Sequence, residues 1–138
     1  MRYILLDTCD ISHYNTYMDT INFEVIPYET EDGKIPYDEF LSTLNPKMLA
    51  KVLWTVDLLE EFGNSLRKPH SKHLRDGIFE LRTKQGTDIS RVLFFFMIGK
   101  QIILTHGFVK KTDATPPGEI ELALKYREDW LRRQENDT

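Results

Sequence analysis

The sequence predicts an α+β fold: a small domain with an N-terminal strand and helix hairpin, a three-stranded antiparallel core meander and a C-terminal helix. Three observations predict it. Apolar residues recur at helical spacing on both sides of the middle of the chain. Between residues 78 and 110 the period shortens to that of strands. The breaks inside that region are short and contain Gly, too short for parallel crossovers, so the strands should run antiparallel. With 138 residues, 41% apolar and 29% charged, the chain has the size and composition of one globular domain.

Taken in order, residues 1–20 show no period and are read as an N-terminal arm, loosely ordered, with the domain proper spanning 21–138. Asn22–Pro27 alternates, with Phe23, Val25 and Pro27 on one face, and reads as a short strand. Glu31-Asp32-Gly33 is a turn signal. Pro36 opens a helix in which Tyr37, Phe40, Leu41 and Leu44 fall at i, i+3, i+4 and i+7. Asn45-Pro46 stops that helix and supplies the cap and first-turn proline of the next. There Leu49, Val52, Leu53, Val56 and Leu59 form the apolar stripe, and Gly63 is the C-terminal cap. Residues 67–75 read as a link. Ile78–Thr83, Ile89–Ile98 and Gln101–Lys110 read as the three strands, the last two joined by Gly99-Lys100 as a type II′ turn. The apolar run Val92–Ile98 predicts a central strand covered on both faces. Thr115-Pro116-Pro117 starts the last helix, with Thr115 as its cap and Ile120, Leu124 and Leu131 on one face.

Composition excludes several classes. A single cysteine, Cys9, rules out an internal disulfide. The longest apolar run has seven residues, against about 20 for a membrane-spanning helix. The N-terminal apolar stretch meets Asp7 too soon for a signal peptide, so the expectation is a cytoplasmic protein with no membrane partner. No Gly-rich phosphate loop, HExxH or Cys-rich metal pattern, or GxSxG elbow is present, so no cofactor and no metal is expected.

Charge is the informative feature. Residues 1–66 carry 4 Lys/Arg against 12 Asp/Glu, a net of −8; residues 67–113 carry 10 against 4, a net of +6; the rest carry 4 against 6. A basic middle third in an acidic chain points to one local polyanion site. Arg67, Lys68, His70, Lys72, His73 and Arg75 precede the first core strand; Arg82, Arg91, His106, Lys110 and Lys111 lie at or near strand ends, where they can meet at one edge. Such a set suits RNA cleavage by the RNA's own 2′-hydroxyl. That reaction needs a base, an acid and positive charge on the phosphate, and an arginine fork matches two phosphate oxygens. Each residue also has a plainer reading. Arg82 and Glu80 share a strand face and can simply pair, Arg91 can form a structural salt bridge, and Lys110 and Lys111 can protect a strand edge. The alternation of His106 with Ile102, Leu104 and Phe108 favours a hydrogen-bonded core histidine.

Read together, three segments resemble one family. Lys72-His-Leu-Arg-Asp-Gly-Ile-Phe-Glu-Leu-Arg82, Ser90-Arg91-Val-Leu-Phe-Phe95 and the stretch from His106-Gly-Phe-Val-Lys-Lys111 through Thr115-Pro-Pro-Gly-Glu-Ile120 are similar to motifs of phage-derived RelE/HigB-like toxins of type II toxin–antitoxin systems. The resemblance covers about residues 22–133. It implies a RelE-like fold and a ribosome-dependent endoribonuclease, an mRNA interferase that cuts translated mRNA without metal. It implies as partners the ribosome and mRNA, and a helix-turn-helix antitoxin through which alone operator DNA is reached. The implied catalytic residues are Lys72, Arg82, Arg91, Lys110 and Lys111, with His73 and His106 as further candidates; Arg67, Lys68 and Arg75 are the implied RNA-binding residues. Ser90 departs from the pattern, which often has Tyr there. The alternative is a non-catalytic protein-interaction module on the same fold.

Overall fold

The computed structural model describes residues 22–137; the expected arm at 1–20 lies outside them. Five strands form one mixed sheet in the order β1-β5-β4-β3-β2. They are β1 (Glu24–Pro27), β2 (Ser71–Arg75), β3 (Ile78–Gln85), β4 (Asp88–Met97) and β5 (Gln101–Lys110). β1 runs parallel to β5, and every other neighbouring pair is antiparallel. Helices α1 (Pro36–Leu41) and α2 (Pro46–Phe62) cover one face, and α3 (Pro117–Asn136) covers the other. The α+β class is as expected, but the meander has four strands. Residues 71–75, read as a link, are an edge strand joined to β3 by Asp76 and Gly77, both at positive φ (53° and 80°). An Asp-Gly pair adopts that turn readily and pins the register of both strands.

The chain builds these elements for identifiable reasons. Asn45 accepts the Met48 N–H at 2.8 Å and caps α2, while Pro46 stands at its first turn, where no backbone donor is needed. Gly63 follows α2 at φ +54°; a Cβ there would lie 2.1 Å from the Phe23 ring. β4 is central, and its Val92 and Phe94 point to the α1–α2 layer while Leu93 and Phe95 point to α3. Both layers therefore anchor on alternate residues of one apolar run.

Three local readings are corrected. The β4–β5 loop spans three residues, Ile98–Lys100, because Met97 pairs with Gln101; Gly99 and Lys100 both have positive φ, which excludes the expected type II′ turn. The buried stripe of α2 is Met48, Val52, Thr55 and Leu59, not one including Leu53, which is 44% exposed. Thr55 tolerates burial because its hydroxyl donates to the Lys51 carbonyl at 2.8 Å, and this rotation turns Trp54 outward. Thr115 does not cap α3; Pro116 holds the cap position, and the Thr115 hydroxyl donates to Glu80 instead.

Close packing of α1 on β5 depends on Gly107, where a Cβ would lie 2.4 Å from the buried ring of Phe40. Gly107→Ala is expected to lower stability by about 1–3 kcal/mol through overpacking, measured by urea unfolding.

Candidate functional site

The register decides which basic side chains meet. Antiparallel partners share a sheet face. Lys72 pairs with Glu80, Glu80 with Leu93, and Leu93 with His106. Arg82 pairs with Arg91, and Arg91 with Phe108. Lys84 pairs with Ile89, and Ile89 with Lys110. Lys72, Arg82, Arg91 and Lys110 thus share one face with Lys84. α3 covers the part of that face holding Ile78, Leu93 and Phe95. Beyond the first turn of α3 the corner is crossed by residues 112–115, held by Arg91 and Glu80.

Arg91 lies beneath that corner, not on it. It is fully buried, donates from Nη1 to the Ala114 carbonyl at 3.0 Å and from Nη2 to the Thr112 carbonyl, and its Nε is 3.7 Å from Glu80 Oε1. Glu80 is fully buried as well. Burial pushes the Arg91 guanidinium below its ordinary pKa and outweighs the opposing pull of Glu80; Arg82 pushes the same way. Arg91 therefore clamps the loop that carries Asp113, the surface partner of Arg82. The phosphate-holding position expected of it is closed to solvent.

Arg82 is the arginine that reaches the surface. Its Nε is 3.8 Å from Glu80 Oε2, and its Nη2 donates to Asp113 Oδ1 at 3.1 Å. Asp113 is 93% exposed at its side chain, so water weakens this pair and a phosphate can displace the carboxylate at small cost. β2 begins at Ser71, opposite Leu81, and the His70 carbonyl accepts the Arg82 N–H at 2.7 Å. Beyond that bond β3 has no strand neighbour on this side among the described residues. There a cleft of about 680 Å³ opens, lined by Arg82, Thr83 and Lys84 of β3, Lys51, Trp54 and Thr55 of α2, and His70, with Asp113 at its rim. It is a positively charged concavity with an aromatic wall, suited to an anion that carries a flat ring.

The remaining predicted residues are spread around this cleft. Lys111 pairs with Asp88 at 3.0 Å and reaches Thr87, at the end of the β3–β4 hairpin. His73 is on the opposite sheet face, edge-on to Phe79, and accepts the Gly77 N–H at 3.2 Å. With Arg67, Lys68 and Lys72 it lines a second groove, of about 570 Å³, along β2. Arg75 is at the far end of β2, tied to Asp76 and Glu121, and does not line the cleft.

His106 is buried, as its alternation favoured, with Nε2 3.0 Å from Glu119 Oε1 and Nδ1 3.2 Å from the Thr105 hydroxyl. Desolvation lowers its pKa below 6.5, against the raising effect of Glu119. The neutral ring is thus favoured in the folded state, and protons bind more tightly to the unfolded chain. Its contribution to stability is full above about pH 6.5 and is lost as pH falls from there through the lowered folded-state value. The melting temperature should fall between pH 7.5 and 5.5, and His106→Gln should flatten that slope.

Sequence reasoning missed Lys51, Trp54 and Lys84, and named His70 in the basic cluster without giving it a role. Trp54 carried a detectable signal, since it is a large aromatic residue outside the apolar stripe read for its helix; in the structure it is 55% exposed. Lys51 carried none, because only the packing of α2 against β3 brings it to the cleft. Among the described residues no cluster of three or more His, Cys, Asp or Glu could hold a metal ion, and no helix is long and apolar enough to cross a membrane.

No curated protein matches the chain. The family model for Phage derived protein Gp49-like (DUF891) matches residues 39–128, a span that runs from α1 into α3 and contains every cleft residue named above. The HigB-like branch suggested by the motifs is finer than this match. The chain belongs to the Gp49-like family of phage-derived proteins, a RelE/toxin-like family related to the toxins of toxin–antitoxin systems.

Proposed function

We propose that the protein is a ribosome-dependent endoribonuclease toxin that cuts translated mRNA in the cleft between α2 and the free end of β3, by a metal-independent reaction. The observation that carries this reading is the meeting of Arg82 and Lys84 with Lys51, His70 and Trp54 in one open cleft of a toxin-like family member. The 2′-oxygen bonds to phosphorus as the bond to the 5′-oxygen breaks, leaving a 2′,3′-cyclic phosphate and a 5′-hydroxyl. Arg82 holds the scissile phosphate once Asp113 is displaced, and Lys84 and Lys110 neutralise flanking charge. His70 receives the 2′-hydroxyl proton, and a cleft lysine supplies one to the departing oxygen. One such proton transfer contributes about 10²–10⁴ in rate. Arg91 acts through the 112–115 loop as a positioning residue, and Lys72 and His73 guide the strand along β2.

The acidic first half of the chain disfavours naked RNA, so the ribosome presents the substrate. A helix-turn-helix antitoxin neutralises the toxin by covering the basic cleft, and operator DNA is bound only through that partner. The test is primer extension on one mRNA with and without active translation. Cuts that appear only during translation support the reading. A folded, antitoxin-free protein that produces no cuts in either condition overturns it in favour of a non-catalytic interaction module.

A further inference from the structure

We propose that the cleft reads one base of its RNA, and that it favours adenine and cytosine over uracil and guanine. The inference rests on the nuclease reading above and adds a specificity to it.

Two features of the cleft carry it. Trp54 is 55% exposed on the cleft wall, and His70 packs edge-on against it, with ring centroids 5.8 Å apart and planes at 76°. That contact packs the indole against His70, and its exposed surface is available to a flat ring. Stacking on such a platform holds any base and discriminates little by itself.

The discrimination comes from the hydroxyl floor. Thr55 and Thr83 both line the cleft, 1% and 6% exposed. The Thr55 hydroxyl donates to the Lys51 carbonyl at 2.8 Å, and a carbonyl only accepts, so that proton is committed. The two threonine oxygens are 3.0 Å apart, so Thr83 must be the donor to Thr55. Both protons are committed within the protein, so the two threonine hydroxyls can offer a base only lone pairs. A base set against Trp54 gains a hydrogen bond there by presenting an amine. Adenine N6 and cytosine N4 are donors at the position where guanine O6 and uracil O4 are acceptors. A carbonyl would face the threonine oxygen without a proton between them, and such a mismatch is rejected more strongly than a missing contact.

The test is cutting of a set of translated mRNAs that differ at one base of the ribosomal A-site codon, by the wild type and by Trp54→Phe, Trp54→Ala, Thr83→Val and Arg82→Ala. The wild type should cut messages with adenine or cytosine at the read position at least about 5-fold faster than those with uracil or guanine. Trp54→Ala should slow cutting about 5-fold or more at every base, and Trp54→Phe should restore most of it. Thr83→Val, which removes the lone pairs and keeps the shape, should flatten the base preference. Equal cutting of all four bases, a preference for uracil or guanine, or an unchanged preference in folded Thr83→Val overturns the inference. The nuclease reading survives those results if Arg82→Ala still slows cutting about 100-fold or more. Unchanged cutting by Trp54→Ala together with loss of antitoxin binding would make Trp54 a protein-docking residue and also overturn it. A wild type that never cuts translated mRNA removes the nuclease reading, and this inference with it. Because Trp54 is a surface residue, its variants keep the test decisive if Thr83→Val fails to fold.

Discussion

Arg82→Ala is expected to slow the cutting of translated mRNA about 10²–10³-fold, the range for removing one positioned donor from charge that develops in a transition state. Its stability should change by less than about 1 kcal/mol, because the Asp113 contact is exposed and screened. Glu80 keeps Thr115 as a donor and Arg91 nearby. Arg82→Lys should recover part of the lost rate, since it keeps the charge and loses the two-pronged geometry. Single-turnover cutting, with urea unfolding of the same samples, separates the two effects. A folded Arg82→Ala that cuts at the wild-type rate would remove Arg82 from the reaction.

Arg91→Ala is expected to cost about 3–5 kcal/mol of stability, because it leaves the buried Glu80 with only the partly exposed Arg82 and the Thr115 hydroxyl as partners and empties the space of a large, fully buried side chain. That is a large share of the total stability of an ordinary domain. It also frees the Thr112 and Ala114 carbonyls, so the 112–115 segment should become sensitive to proteolysis. The double variant Glu80→Leu/Arg91→Leu should recover the charge-related part and leave the loop protease-sensitive, since leucine cannot donate to those carbonyls. Urea unfolding and limited proteolysis check the two parts. Loss of cutting in Arg91→Ala alone therefore does not put its guanidinium on the phosphate. The diagnostic variant is Arg82→Ala.

These two arginines show how far the chain could be read in one dimension. They are register partners on neighbouring strands, with similar polar neighbours in sequence, yet one is sealed and the other opens on a cleft. Strand spacing assigns them to the same face, but not which one a returning loop will cover. The loop that covers Arg91 comes from residues 112–115, about 20 positions away along the chain.

By itself the sequence determined what depends on local periodicity and turn chemistry. The Asn45-Pro46 boundary, the two-sided apolar run of β4, the helical spacing of the segments on either side and the basic middle third were all legible, because each rests on neighbours within a few residues. The Asp76-Gly77 hairpin was equally local, and was hidden by the polar, charged character of Ser71–Arg75, an edge strand that buries little. Only the tertiary structure decided the site. The parallel seat of β1 beside β5, the rotation of α2 that sends Thr55 inward and Trp54 outward, and the early end of β2 that leaves Thr83–Gln85 open all follow from long-range packing. Burial is a property of what comes back from distant sequence to cover a residue, and that packing separates the basic residues that face solvent from those that hold the fold.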